Sequence, residues 1–269
     1  MTVLKVELPQ DRTTLGTNTA GITINKVTFD APWRWLDKGW IDLWNNPRMS
    51  LAYGAAFALA AILLLLSLTQ LDWVSLMLPL AGGFLLIGPL AAIGLYEVSR
   101  RLENGEEVAF GSICSTCKSS AGQISFMGVV LLLVFFAWME IAFLMFMLFM
   151  GTSTLPHVSA FIPTLLFTGR GLGLLVLGSI AGGILSMLVF AISVVSVPLI
   201  MVRKIDVVTA AATSVAVVRK NPKAMWLWAA IIAALMLFGI ATLFAGLVVV
   251  FPLIGHATWH AFRDAITLE

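Results

Sequence analysis

The sequence predicts an all-α membrane protein in which six transmembrane helices form three hairpins, each preceded by a cytoplasmic interfacial amphipathic helix. Three observations lead to this fold class: the composition, several long stretches with few or no charges, and a recurring order of segments. The chain has 269 residues, of which 60% are apolar and only 11% charged, and its mean hydropathy is +1.00. Soluble domains carry charge at about a quarter of their residues. The composition therefore excludes an ordinary soluble domain.

The six predicted spans follow from the stretches of low charge. A helix needs about 20 apolar residues to cross a hydrocarbon core of about 30 Å. Residues 50–69, 73–98, 125–150 and 171–202 each meet this length. Residues 224–261 are too long for one span and are expected to divide near residues 239–246. We expect residues 1–29 to form a cytoplasmic tail without a cleavable signal peptide, and residues 30–269 to form one membrane domain.

The distribution of basic residues predicts the orientation. With a cytoplasmic N-terminus, every lysine and arginine except Arg170 falls on the cytoplasmic side of the six spans. Cytoplasmic loops of membrane proteins carry such an excess of positive charge. Both termini are therefore expected inside, and the small net charge of +2 gives no reason to expect a nucleic-acid partner.

The first interfacial helix is predicted before the first span. One face carries an apolar stripe at spacings of three and four, and we expect Asp30 to cap the helix, with Pro32 in the first turn. A Trp-rich face suits the membrane interface. The stripe comprises Trp33, Leu36, Trp40 and Trp44.

A similar helix is predicted before the fifth span. It opens at Asp206 and has Val208, Ala211, Val215 and Val218 on one face. Both helices end in Asn-Pro followed by a basic residue, and proline disfavours a helical residue before it. Each Asn-Pro is thus expected to form the corner into a span. A weaker version of the pattern lies at residues 111–124.

These segments indicate three repeat-like units, at residues 30–101, 107–203 and 204–264. The second arms of the first and third units read "GPLAAIGLYEVSRR" and "FPLIGHATWHAFRD", and both place a proline, an aromatic residue and an arginine at matching positions. Tyr96 and Trp259 are therefore predicted to anchor the interface together with Trp33, Trp40 and Trp44. The alternative is that such residues are simply common at the cytoplasmic ends of membrane helices.

Five residues form the candidate intramembrane polar site: Glu140, His256, His260, Glu97 and Arg100. Glu140 lies near the middle of the third span, where an ionisable group should face the bundle interior with a partner or stay protonated. Its role is then either functional or that of an interhelical hydrogen bond to a Ser, Thr or His. His256 and His260 share a helix face, so they either share a ligand or form hydrogen bonds in the core. Glu97 and Arg100 are expected to form a local ion pair. No metal site and no catalytic group is predicted.

Four segments together resemble an uncharacterised family of bacterial inner-membrane proteins, catalogued as predicted integral membrane proteins with a domain of unknown function. The segments are "PWRWLDKGWIDL", "GPLAAIGLYEVSRRLENGE", "FAISVVSVPLIM" and "LVVVFPLIGHATWHAFRD". The resemblance implies a six-span protein of the bacterial inner membrane. Some members are labelled cytochrome c oxidase subunit I-like, but three histidines are too few for the haem and copper ligands of an oxidase, so we expect no cofactor.

The scarcity of polar residues inside the predicted spans favours an accessory, scaffold or assembly factor of a membrane complex over an enzyme. Its expected partners are membrane lipids and other membrane protein subunits. The alternative is a small-solute or ion transporter or channel whose path uses Glu140 and His256.

Overall fold

The computed structural model describes residues 21–71, 73, 76–109, 111, 121–151 and 158–269. Within these residues, the chain forms eleven helices and two short strands. The first four helices are α1 (Ala31–Asn45), α2 (Pro47–Gln70), α3 (Met77–Ala91) and α4 (Ile93–Glu103). The next four are α5 (Ala121–Met150), α6 (Val158–Phe167), α7 (Gly169–Ser193) and α8 (Ser196–Val202). The last three are α9 (Val207–Lys220), α10 (Pro222–Ala241) and α11 (Leu247–Ala265), and the strands are β1 (Ile22–Ile24) and β2 (Ile266–Leu268).

Four helical stretches in the described part of the chain are long and apolar enough to cross a membrane. They are Pro47–Gln70, Ala121–Met150, Gly169–Val202 and Pro222–Ala241. The helical nature of the other two predicted spans is also clear, because α3 and α4 follow each other across Ala92 and α11 is 19 residues long. That these two cross the membrane stays a prediction.

The predicted division of residues 224–261 is confirmed. α10 ends at Ala241 and α11 begins at Leu247, with Leu243 and Phe244 at positive φ angles of 52° and 67°. The hydroxyl of Thr242 closes the turn, since it donates to the carbonyl of Gly239 at 2.9 Å and accepts from the amide of Gly246 at 2.8 Å.

The core forms where the C-terminal ends of the three second arms meet. α4, α8 and α11 contact one another pairwise. Residues 92–99, 193–201 and 255–259 are buried throughout, and the largest fully buried side chains nearby include Leu95, Leu199 and Trp259. The repeated second-arm segments therefore lie at the centre of the molecule.

Outside this core, the helices pair only in part as the predicted hairpins require. α10 packs on α11 and α5 packs on α7, as expected for the arms of one hairpin. The main contacts of α2, however, are with α11 of the third unit, and those of α3 are with α5 and α7 of the middle unit. The arms of the first unit are thus shared between the other two units.

α1 packs one face on α11 and exposes the other. Trp35, Gly39 and Leu43 are buried, whereas Trp33, Trp40 and Trp44 of the predicted stripe are about half exposed. The stripe predicted from the sequence is thus the exposed face of α1, and the buried face of α1 was not predicted. Asp30 lies at the predicted N-cap position and Pro32 lies in the first turn, but the Asp30 carboxylate makes no cap hydrogen bond to the helix backbone; it accepts a hydrogen bond from Arg34 at 2.8 Å instead.

α9 is capped by Asp206 as predicted, since its carboxylate accepts from the amide of Thr209 at 2.9 Å. Its predicted apolar face is displaced by about one residue. The buried side is defined by Val207, Ala210, Ser214 and Val217, and Val208 is exposed. Polar Ser214 lies inside because its hydroxyl accepts a hydrogen bond from the buried amide of Val195 at 3.2 Å. The weaker helix predicted before the third span lies mostly outside the described residues.

The expectation of a cytoplasmic tail over residues 1–29 needs correction, because residues 21–29 belong to the fold; residues 1–20 lie outside the described part. β1 and β2 pair antiparallel, with Ile22 opposite Leu268 and Ile24 opposite Ile266. The corner residue Asn221 binds the same segment, accepting from the amide of Val27 at 2.8 Å and donating to the carbonyl of Asn25 at 2.9 Å.

Candidate functional site

His256 is the centre of a buried polar cluster that joins α2, α4 and α11. Its side chain is fully buried. Nε2 lies 2.9 Å from the hydroxyl of Ser50, and Nδ1 lies 2.7 Å from the hydroxyl of Ser99. A neutral imidazole has one donor and one acceptor nitrogen, and a hydroxyl can supply either role. Both ring nitrogens are therefore satisfied by the protein itself.

The local sequence brings these three helices close enough for the cluster to form. Ser50 lies in the first turn of α2, just after the Asn46–Pro47 corner, where the Asn46 side chain accepts from the amide of Met49 at 3.4 Å. Gly255 has no side chain facing α4, and a β-carbon there would lie 2.6 Å from Leu95 Cδ1. The cluster thus depends on a close approach between α4 and α11.

His260 lies one turn further along α11 and binds a different partner. Its Nε2 is 2.8 Å from Asp42 Oδ2 on α1, and both side chains are largely buried. The two histidines therefore join α11 to different helices and are not brought together with Glu97 or Glu140. Within the described residues, no group of three or more His, Cys, Asp or Glu side chains is placed to hold a metal ion.

Glu97 and Arg100 form the predicted ion pair. The Glu97 carboxylate is fully buried and accepts two hydrogen bonds from Arg100, both at 2.8 Å. The sequence analysis did not predict two further members of this charged group at the end of α4. Arg101 donates to Glu97 at 2.7 Å, and Glu106 lies 3.2 Å from Arg101. Alternating charges thus neutralise one another at the end of α4.

Two of the five predicted interfacial anchors lie in the interior. Tyr96 and Trp259 are 3% and 1% exposed, because they belong to the second-arm ends that meet in the core. Trp259 donates to Glu103 at 3.0 Å, and Glu103 also accepts from Arg263 at 3.0 Å. Neither ring is available to headgroups, which leaves Trp33, Trp40 and Trp44 as the exposed aromatic residues among the five.

Glu140 is placed differently from its prediction. Its side chain is exposed on the outer surface of α5 rather than directed into the bundle. The buried side of α5 carries Met127, Leu131 and Trp138, which pack toward α3 and α7. The apolar residues of α5 are distributed nearly uniformly around the helix, so periodicity does not indicate which face lies inside.

Three of the polar side chains described above connect different helices. His256 joins three helices, His260 joins α11 to α1, and Glu103 joins α4 to α11. A buried imidazole whose two nitrogens are both bound is not free to bind a passing solute. Chemically, the arrangement orients and fixes the helices.

The comparisons with known proteins agree with a membrane protein. Residues 77–201, from α3 to α8, match the model of a family described as predicted integral membrane protein (DUF2189). This is the uncharacterised membrane family that the sequence resembles, so the resemblance is confirmed over that segment. No curated protein and no solved structure matches the chain.

Proposed function

We propose that this integral membrane protein, whose residues 77–201 match the uncharacterised predicted integral membrane protein family, is an accessory, scaffold or assembly factor of a larger membrane complex. One observation carries the proposal. His256, the best candidate for a solute-binding group inside the bundle, is fully buried and is bound on both sides by Ser50 and Ser99.

The position of Glu140 supports the same conclusion. Ionisable residues that form an intramembrane pathway face a water-filled cavity or the bundle interior. Glu140 and His256 do not share such a space, because Glu140 is on the outer surface of α5 and His256 lies between α2, α4 and α11. A transport path that uses both residues would require a different packing of the helices.

The outer helix faces are suited to contact with lipid or with apolar partner subunits. Exposed large apolar side chains continue along α2, α5 and α7; examples are Leu63, Leu133, Phe136, Val176 and Ile180. In soluble proteins such extended apolar surfaces mark interaction sites. In a membrane protein they are compatible with the lipid core.

The proposed arrangement in the membrane has six spans, formed by α2, α3 with α4, α5, α7 with α8, α10 and α11. Both ends lie in the cytoplasm of a bacterial cell, and the exposed tryptophans of α1 contact lipid at the inner interface. Single-cysteine labelling tests this arrangement after Cys114 and Cys117 are replaced by serine. An impermeant maleimide should label Leu243→Cys in intact spheroplasts and Asn104→Cys only after permeabilisation. Labelling of both positions from the same side would rule the arrangement out.

The accessory role is tested by purification from native membranes in mild detergent. A membrane protein partner should be recovered in fixed stoichiometry, and the Glu140→Gln variant in proteoliposomes should behave like the wild type in showing no solute or ion flux. A flux that the wild type supports and Glu140→Gln abolishes would instead establish the transporter alternative.

A further inference from the structure

The exposed face of α1 carries a carboxylate among tryptophans. We call these residues the α1 face: Trp33, Asp37, Trp40 and Trp44. Side chains three and four residues apart lie next to one another on the surface of a helix. Asp37 follows Trp33 by four residues and precedes Trp40 by three, so its carboxylate lies between the two rings along the helix. The three rings are about half exposed, and Asp37 is exposed as well.

The negative charge of Asp37 is not neutralised within the described part of the chain, where no hydrogen bond or ion pair reaches its carboxylate. The cation at helical spacing from it is Arg34, three residues earlier. Arg34 is directed elsewhere, because its guanidinium donates to Asp30 at 2.8 Å and lies 3.5 Å from a carboxylate oxygen of Asp264. Asp37 therefore leaves a negative charge open to a cation from outside, beside exposed indole rings.

Two of these rings form a corner. The ring centroids of Trp40 and Trp44 are 5.7 Å apart, and the angle between the ring planes is 72°. The face of an aromatic ring is electrostatically negative and attracts cations, and tryptophan does so more strongly than the other aromatic residues. Cages of aromatic rings recognise ammonium groups such as choline and methyl-lysine in this way. The α1 face thus combines an aromatic corner with an unneutralised carboxylate.

The position of α1 brings this face close to a candidate membrane span. α1 ends at Asn45 and α2 begins at Pro47, and α2 is long and apolar enough to cross a membrane. On the opposite side of α1, the Trp35 indole nitrogen donates to Asp264 of α11 at 3.0 Å. The α1 face is therefore directed away from α11, and Trp40 and Trp44 lie within the last two turns before the span.

We propose that the α1 face binds the ammonium headgroup of a zwitterionic phospholipid in the cytoplasmic leaflet. The ammonium group lies in the corner of Trp40 and Trp44 and pairs with the carboxylate of Asp37. Lys38 is exposed next to this face and supplies a positive charge for the lipid phosphate. The inference rests on the interfacial position of α1 proposed above and adds the headgroup that α1 recognises.

A zwitterionic lipid matches the charges of this face better than other membrane components do. Asp37 and Lys38 place opposite charges side by side, and the headgroup likewise has an ammonium group a few bonds from its phosphate. An anionic lipid without an amine offers nothing to the aromatic corner or to Asp37. A basic segment of a partner subunit offers a cation alone, and it is the competing outcome of the experiments.

Carbodiimide coupling tests the contact with the native chain. The protein is reconstituted into vesicles of phosphatidylethanolamine and phosphatidylglycerol, and the reagent joins a carboxylate to a lipid amine within reach as an amide. Glu107 is the matched control, because it is also exposed but lies outside the α1 face. Mass spectrometry of peptides should find lipid on Asp37 about 3-fold more often than on Glu107, or more. Equal yields would overturn the proposal. So would coupling of Asp37 in native membranes mainly to a lysine of another protein.

Substitutions separate the contributions of the carboxylate and the rings. The protein in mild detergent is offered phosphatidylethanolamine and phosphatidylglycerol with the same acyl chains, and native mass spectrometry gives the ratio of the two lipids bound. Asp37→Asn and Trp40→Ala should each lower this ratio about 2- to 5-fold. The matched controls are Glu107→Gln, which removes the same charge elsewhere, and Trp226→Ala, which removes an exposed ring from α10. A control that lowers the ratio as far as its test variant would overturn the proposal. All four side chains are exposed, and the coupling test needs no variant.

The headgroup site and the accessory role fail separately. Loss of the lipid preference, with another membrane protein still recovered in fixed stoichiometry, would remove the site alone. A lipid preference that depends on Asp37, together with a flux that depends on Glu140, would retain the site and remove the accessory role.

Discussion

Replacement of Gly39 by alanine should weaken the contact between α1 and α11. A β-carbon at Gly39 would lie 2.7 Å from the amide nitrogen of Ala257 and 3.0 Å from its Cα, and ordinary contacts of a β-carbon begin at 3.4 Å. The helices must therefore separate locally by about 0.7 Å, the difference between the observed and ordinary distances. The obstructing atoms belong to the backbone, so a change of rotamer cannot relieve the clash.

The magnitude follows from this displacement. Overpacking typically costs about 1–3 kcal/mol. A movement of 0.7 Å would also lengthen the 2.8 Å contact between His260 and Asp42 beyond the usual hydrogen-bond range, at a cost of about 0.5–1.5 kcal/mol. Replacing glycine by alanine within a helix stabilises the helix by about 1 kcal/mol, which offsets part of this loss. The net loss of unfolding free energy should be about 2 kcal/mol.

A matched control is Gly178→Ala on α7, where no described atom beyond its chain neighbours and the backbone of its own helix lies within 4 Å of the added β-carbon. This variant should be as stable as the wild type or more stable by up to about 1 kcal/mol. Both variants are measured by reversible unfolding in mixed micelles, followed by tryptophan fluorescence and circular dichroism. Equal stability of the two variants would refute the close approach of α1 to α11.

Three further predictions concern the polar connections and are measured by the same unfolding assay. His256→Ala should destabilise the protein by about 2–4 kcal/mol, because it leaves two buried hydroxyls without their partner and creates a cavity; an unchanged midpoint would contradict the cluster. Glu97→Gln should cost about 3 kcal/mol, since two arginines lose their buried counter-charge, and a gain in stability would show that the carboxylate is not needed. The hydrogen bond from the Thr209 side chain lowers the pKa of Asp206. The ionised Asp206 carboxylate therefore contributes to the free energy of unfolding above about pH 4, and this contribution is lost as the pH falls further. Asp206→Ala should therefore be less stable than the wild type at pH 7 and should lose less additional stability at pH 3; an equal further loss in both would contradict this assignment.

The positions of the helices could be predicted from the sequence, because hydropathy and turn residues act locally. The start of α2 at Pro47 and the break between α10 and α11 follow directly from such signals. Which face of each helix points into the core was harder to predict from the sequence. α9 turns polar Ser214 inward for a hydrogen bond to the amide of Val195, which no apolar pattern indicates.

The placement of the candidate site depended on contacts distant in sequence. Glu97 and Arg100 are three residues apart, so their ion pair could be predicted from helix geometry. The partners of His256 are separated from it by 157 and 206 residues, and periodicity within one helix does not reveal them. Glu140 was assigned to the interior on energetic grounds, and that argument requires a partner without specifying whether it belongs to the same chain.

The pairing of β1 with β2 has a consequence for biogenesis. Ile22 emerges from the ribosome before every helix described here, whereas its neighbour Leu268 is made after all of them. β1 and β2 can therefore pair only after translation has passed α11, and until then residues 22–24 have no partner strand. Closure also brings Asn25 to its contacts with Asn221, at the corner after α9, and with Asp264 of α11, so a segment made before α1 is secured to residues made after α9.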